Sequence, residues 1–299
     1  MRISTANSYD NAIDSLTQRQ RALSESQERL TSLKRVNRAS DDPTAAARAE
    51  RALATLQRTQ SELRGVEASR VAMTQIEGAL GEGGELLQQA REAIVSAGNG
   101  SYSDAERKVL AQQIRAVREQ LLAAANRGDG SGGYLFGGQG SATPPFVDGA
   151  GGVTCNGEAG RTQAATRDGL PLNADGQAIW LATPDVFKLL GDAATDLETT
   201  GRTQAAIATT NAAALQDLDA VLGRVQLARS EAGEVLNRID GVAGRLADDE
   251  VAARTERSNA EDLDMVRALS EFQSQQTSYD AALKSYALVQ RMSLFTYLS

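Results

Sequence analysis

Apolar residues recur at three- and four-residue spacing along most of this chain. The first run sets Tyr9, Ile13, Leu16, Gln20, Leu23, Gln27 and Leu30 on one stripe. A repeat near 3.5 keeps such a stripe facing a partner helix as the chain winds. The stripe continues through Leu33 and Val36 and then stops. Asp42 followed by Pro43 reads as a restart: the carboxylate accepts from free backbone N–H groups, and the ring takes a position whose N–H needs no partner. Pro43 also pushes Asp42 out of helical geometry. Residues 37–42 are therefore expected to form a loop or kink between two helices.

The second helix carries Leu53, Leu56 and Leu63, then Met73, Ile76, Leu80, Leu87, Ala90, Ile94 and Ala97. Gly81, Gly83 and Gly84 weaken it locally, leaving room for a bend or irregular turn there. GNGSY at 98–102 reads as a turn. Ser103 with Glu106 forms a capping-box pattern, and Leu110, Ile114, Val117 and Leu121 line the next helix.

The pattern changes after NRGDG. Fourteen of the 27 glycines fall between residues 128 and 176, with Pro144, Pro145 and Pro171, so helix is replaced by turns and short candidate strands. GYLF, PFVD, GVTC and AIWLA are those candidates, and Tyr134, Phe136, Phe146 and Trp180 can supply a small core. Thr183 and Pro184 start another helix, with Val186, Leu189 and Leu190 inward. From Ile207 the series Asn211, Ala214, Leu218, Val221, Val225, Ala228, Ala232, Val235, Ile239, Val242, Leu246 alternates four and three without a slip. Helix over 203–257 would extend roughly 80 Å, the length of a rod rather than a compact globule. A last helix carries Met265, Leu269, Phe272, Gln276, Tyr279, Leu283 and Tyr286.

The expected fold is mainly α: a long antiparallel helical coiled-coil bundle formed by N- and C-terminal arms, with a small β-rich inserted domain. Its expected parts are an N-terminal helix (1–42), pairing with a C-terminal one (260–299). Between them lie two rod halves (43–130 and 184–259) and a glycine-rich outer insert (131–183). If that insert sits at the tip, the arms return antiparallel and bring the first and last helices side by side.

Composition narrows the function. With no histidine, the commonest general base is missing, and Cys155 as the sole cysteine excludes an internal disulfide and a multi-cysteine metal site. A Ser-His-Asp or Cys-His nucleophile cannot be assembled. The acidic residues are scattered along helices as on a solvated face. GDGSGG at 128–133 matches G-x-G-x-x-G but follows a helix rather than a strand, so it presents no dinucleotide cradle. No catalytic, metal or cofactor residues are therefore expected. A net charge of −8 with basic residues interspersed lacks the basic face nucleic acid needs. No run approaches a membrane span, and MRISTANSYDNAIDSL lacks the apolar stretch of a secretory signal.

Particular words of sequence carry a resemblance. They are MRIST at the start, KRVNRASDDPTAAA at 34–47, YLFGG at 134–138, PDVFKLL at 184–190, and SQQTSYDAALKSYALVQRMSLFTYL at 274–298. Together they resemble the flagellin superfamily of bacterial axial proteins, most closely the hook-associated protein 3 family. Leu33 departs from the family, whose members commonly carry glycine in a Ser-Gly-Lys run there. The SLFTYLS ending and MRIST opening differ from those usual in flagellin.

The resemblance implies a structural subunit of a ring between the last hook-associated layer and the first flagellin turn, with terminal helices lining an inner tube. Implied partners are further copies of itself, hook-associated protein 1, flagellin and an export chaperone. Implied localisation is extracellular, in the flagellum, through the flagellar type III export route without a cleaved signal. Under this reading Asn37, Ser40, Asp41, Asp42 and Pro43 form an interdomain joint. Ile13, Leu16, Leu23, Leu30, Leu269, Phe272, Tyr279, Leu283 and Tyr286 form the assembly seam of the terminal helices. A flagellin-type filament subunit is the near alternative, and a cytoplasmic coiled-coil interaction protein the alternative from another class.

Overall fold

The computed structural model describes the backbone of residues 2–140 and 143–298, and side chains of 10–140 and 143–288. The side chains of MRIST, Tyr9 and SLFTYLS lie outside the described residues. Among the described residues the helices are α1 (Arg2–Ser32), α2 (Pro43–Ala97), α3 (Asp104–Ala125), α4 (Val186–Glu198), α5 (Gln204–Glu261) and α6 (Met265–Leu298). A hairpin of β1 (Phe146–Gly149) and β2 (Gly152–Cys155) lies between α3 and α4. Two compact units result, Met1–Thr59 with Asp248–Ser299 and Gln60–Ala247, and α2 and α5 contribute to both.

In the larger unit α2 and α5 run antiparallel, because ion pairs step up one helix as they step down the other. These are Arg70–Asp240 at 2.9 Å, Glu77–Arg229 at 2.6 Å and Arg91–Asp219 at 3.1 Å. The inward stripe consists of the residues periodicity selects: Ile76, Leu80, Leu87 and Ile94 from α2, and Leu218, Val221, Val225 and Ile239 from α5. Helix α3 begins with the expected capping box at Ser103 and Glu106 and packs along α4. Helix α4 is capped by Asp185, whose carboxylate accepts from the N–H groups of Phe187 and Lys188, so it starts just after Thr183 and Pro184.

No irregular turn forms at the glycines of α2; the helix is continuous through them. At Gly83 a Cβ would stand 2.7 Å from Cη2 of Trp180, so the missing side chain admits the indole. Trp180 is wholly buried, with its ring edge-on to Phe136 at 5.6 Å.

Of the four candidate strands, PFVD and GVTC pair. GYLF provides only an isolated bridge between Gly128 and Tyr134, and AIWLA lies in a π-helical turn, Gln177–Leu181. A five-residue apolar run carries too little periodicity to separate strand from helix. The turn buries Ile179 and Trp180, and α5 holds it: Arg224 donates to the carbonyls of Ile179 and Pro184 at 2.7 and 2.9 Å.

The glycine-rich segment shares the helices' core rather than making its own. Leu135, Phe136, Phe146, Val153 and Leu170 belong to one cluster with the α2 and α5 stripes. Nor is it at the tip. Arg167 pairs with Glu62 at 2.7 Å, Ser69 donates to the Pro171 carbonyl at 2.6 Å, and Arg245 pairs with Asp168 at 2.9 Å, so the segment lies along α2 and α5. The end beyond α3 and α4 is closed by their two turns, where Gln204 donates to the Gly98 carbonyl at 2.8 Å and the Gly201 N–H to Asp104 at 3.1 Å.

Candidate functional site

The smaller unit contains two helix breaks lying side by side. The first is the one the sequence marks. Helix α1 ends at Ser32, and Leu33 follows at φ 59°, the one non-glycine described residue in the left-handed region. That is a helix C-terminal position glycine normally takes because it has no Cβ. The left-handed turn leaves Leu33 55% exposed while its carbonyl accepts from the Leu263 N–H at 3.1 Å. The backbone here is one that favours glycine, and leucine is held in a conformation a glycine would adopt freely.

The second break, at residues 262–264, separates α5 from α6. Lys34 and Asp262 form an antiparallel bridge, and the Arg35 N–H donates to the Glu261 carbonyl at 2.7 Å. Side chains reinforce the crossing. Lys34 pairs with Glu261 at 3.2 Å, and Arg35 donates to the Ala260 carbonyl at 2.8 Å and pairs with Asp42 at 3.1 Å. Val36 and Ala260 are buried there.

Each break is capped by its own carboxylates. Asp41 accepts from the N–H groups of Asn37 and Arg38 at 3.1 and 2.9 Å, closing the loop. Asp42 accepts from the Ala45 N–H at 2.9 Å and so caps α2, whose first residue is Pro43. Asp264 does the same for α6 through Val266 and Arg267. These bonds favour the ionised forms. The Arg38 backbone N–H chiefly holds the Asp41 carboxyl below the usual range; the Ala45 N–H, followed by Arg35, does so for Asp42. Asn37 contributes its backbone N–H, and Ser40 is exposed.

The expected joint residues thus come together; a break between 257 and 265 was expected as well, but not that its residues join the crossing. Glu261, Asp262 and Asp264 escaped because the α5 stripe runs out at Leu246 with no glycine or proline to mark the end. The available signal was an aspartate just before an apolar-periodic run, Asp264 ahead of MVRAL.

Helices α1 and α6 pack together from this crossing. The expected seam divides in two. Leu16, Leu23, Leu30, Phe272, Tyr279 and Tyr286 are half-buried, whereas Ile13, Leu269 and Leu283 are 48, 50 and 42% exposed. Met265 and Val266 are exposed too, at 46 and 84%. Among the described residues no cluster of acidic or cysteine side chains is arranged to hold a metal ion, and no helix is long and apolar enough to cross a membrane.

Paired terminal helices continue into α2 and α5 through a capped crossing, and comparison with known proteins gives this arrangement its class, that of the flagellin-type axial proteins. The family profile described as the bacterial flagellin N-terminal helical region matches residues 3–141. The chain is 30% identical to flagellar hook-associated protein 3 of Escherichia coli strain K12, over 99% of each, and 27% identical to flagellin of Bacillus subtilis over 88% of this chain and 87% of that one. It shares its fold with a solved structure described as the flagellar junction protein FlgL from Legionella pneumophila. The TM-score is 0.57 at 18% identity, covering 62% of this chain and 96% of that one. The chain belongs to the flagellar hook-associated protein 3 family.

Proposed function

We propose that this chain is a non-catalytic structural subunit of the flagellum, forming an adaptor ring between the hook-associated layer and the flagellin filament. The observation that carries this reading is the match to hook-associated protein 3 along essentially the whole of both chains, stronger than the match to flagellin. The exposed Ile13, Leu269 and Leu283 support assembly through the terminal helices. Partners on this reading are further copies of the chain, hook-associated protein 1 below and flagellin above, with an export chaperone before assembly. Export proceeds without a cleaved signal. The crossing at residues 33–43 and 261–264 is the joint that sets the terminal pair against the longer helices.

The terminal pair buries one seam, so its folding is completed by packing on neighbours. Replacing Leu269 or Leu283 by Asp tests this. Each leucine is about half exposed, so roughly 1 kcal/mol of further burial per residue is lost on assembly, before the cost of desolvating a carboxylate. Both variants should be absent from sheared surface appendages while the larger unit melts normally. Incorporation at the level of the unsubstituted chain would refute the reading.

A further inference from the structure

Two asparagines of this chain precede glycine, Asn99 and Asn156, and the fold treats them differently. In an Asn-Gly pair the glycine nitrogen can add to the asparagine Cγ, because both are held on one short stretch of chain and no Cβ on the glycine blocks the approach. Asn99, Gly100 and Ser101 are exposed in the turn between α2 and α3. Oδ1 of Asn99 accepts from both the backbone N–H and the hydroxyl of Ser101, at 3.1 and 2.9 Å. Addition at Cγ puts negative charge on that oxygen, so two donors already stand where the charge develops. The Gly100 nitrogen donates to no acceptor among the described residues. A Cβ added at Gly100 would have the Gln204 side chain as its nearest neighbour, at 3.5 Å, and the residue lies outside the left-handed region, so neither packing nor backbone demands glycine there. Asn156 is exposed as well, but clamped. Its N–H donates to the Pro145 carbonyl at 2.7 Å, and Glu158 is bridged to Gly138 and accepts from the Gln139 N–H at 3.0 Å. A Cβ on Gly157 would stand 2.9 Å from the Gly137 carbonyl oxygen, so backbone packed against backbone accounts for that glycine. Closing a ring between Asn156 and Gly157 turns the peptide between them and breaks this clamp.

We infer that Asn99 is a site of spontaneous deamidation in the folded chain and that Asn156 is protected from it. The Gly100 nitrogen, its proton passed to solvent hydroxide, forms a bond to Cγ of Asn99. The bond from Cγ to the side-chain nitrogen breaks, and that nitrogen, protonated by water, leaves as ammonia. Water then opens the succinimide at either carbonyl to give aspartate or isoaspartate. The net change is one water consumed and one ammonia released, with no oxidant or reductant. Either product places a carboxylate just beyond the C-terminal end of α2, where the helix dipole disfavours it. Isoaspartate also routes the main chain through its Cβ. That lengthens the turn which the Tyr102 N–H closes on the Asn99 carbonyl at 3.2 Å, beside the Gly98 carbonyl held by Gln204 at 2.8 Å. The modification therefore loosens this end of the larger unit as the chain ages. None of this depends on what the terminal helices assemble with.

Mass spectrometry of the purified full-length chain tests this. The chain is incubated at mildly alkaline pH in heavy-oxygen water, both folded and in concentrated guanidinium chloride, and samples are digested with trypsin in ordinary water. Cleavage after arginine gives peptides 92–107 and 128–161, each with a single asparagine. In the folded chain Asn99 should convert about tenfold or more faster than Asn156, whose two clamping bonds must first open. In guanidinium chloride the two should convert at comparable rates. The product at position 99 should carry one solvent oxygen and be a mixture of aspartate and isoaspartate. Gly100→Ala, for which the turn has room, should suppress conversion at Asn99 alone. Ser101→Ala, which keeps the backbone donor, should slow conversion at Asn99 several-fold and leave Asn156 unchanged. Equal rates at the two sites in the folded chain, or an intact Asn99, would overturn the inference. The same preference for Asn99 in guanidinium chloride would assign it to sequence alone and overturn the part given to the fold. Aspartate without isoaspartate would overturn the ring step, and an unchanged rate in Ser101→Ala would overturn the part given to its hydroxyl.

Discussion

Adding one methyl group at each of two adjacent positions of α2 should have unequal effects on stability. Gly83 and Gly84 both lie inside the helix, where Gly→Ala gains about 1 kcal/mol from propensity. At Gly84 nothing stands within 4 Å of the added Cβ, so the gain is realised. At Gly83 the Cβ meets Cη2 of Trp180 at 2.7 Å, and that ring cannot retreat: it is wholly buried with Phe136 on its edge. Overpacking of this kind costs about 1–3 kcal/mol, which offsets or exceeds the propensity gain. Gly84→Ala should therefore be the more stable variant by about 1–3 kcal/mol. For a unit of this size 1 kcal/mol is about 2–4 °C in Tm. Thermal unfolding followed by far-UV circular dichroism gives the order, and fluorescence of Trp180, the chain's one tryptophan, reports whether the ring has moved. Equal stabilisation by both substitutions, with unchanged fluorescence, would refute the claim that Gly83 exists to admit Trp180.

Three further outcomes follow from the crossing and the hairpin. At Leu33 the left-handed backbone penalises a β-branched side chain most, so Leu33→Ile should destabilise the smaller unit by roughly 1 kcal/mol more than Leu33→Asn in denaturant melts; the reverse order would contradict the φ of 59°. Asp41 and Asp42 have carboxyl groups held below their ordinary range near pH 3.9, about the value in an unfolded chain, so their contribution is present above that pH and lost as pH falls through the lower folded values. NMR of the Asn37, Arg38 and Ala45 amides should show the loop opening only below about pH 4, and opening near pH 6 would contradict the assignment. Cys155, half-buried at the end of β2, acts as a small packing residue, so Cys155→Ser should keep motility in a soft-agar assay; loss of motility with the chain still folded would mark the thiol as functional.

How much of this was legible beforehand depended on the kind of signal. The long stripes were, since Ile207 through Leu246 and Met73 through Ala97 each repeat one spacing over many turns, and a wrong register would expose every member at once. The capping box at Ser103 and the restart at Asp42 and Pro43 were legible because each pairs a side chain with a fixed backbone donor. The role of the α2 glycines was not legible, because weak propensity and room for a distant ring look alike until Trp180 is placed. The lateral position of the insert depends on contacts about a hundred residues apart, Glu62 with Arg167 and Ser69 with Pro171, which no local pattern encodes. The second break was placed to within a few residues, but the part Glu261, Asp262 and Asp264 play in the crossing was not legible: Asp264 is a single weak cap, and only its pairing with the first break reveals it. Among the residues named for the seam, periodicity could not separate Leu23, which is half-buried, from Ile13, which is 48% exposed.

Deleting the gene and examining the cells tests the junction reading most directly. Electron microscopy should show hooks without filaments, with flagellin recovered from the medium as monomer, and the unsubstituted gene should restore filaments where the Leu269→Asp and Leu283→Asp genes do not. Filaments of normal length on cells lacking the gene would contradict it.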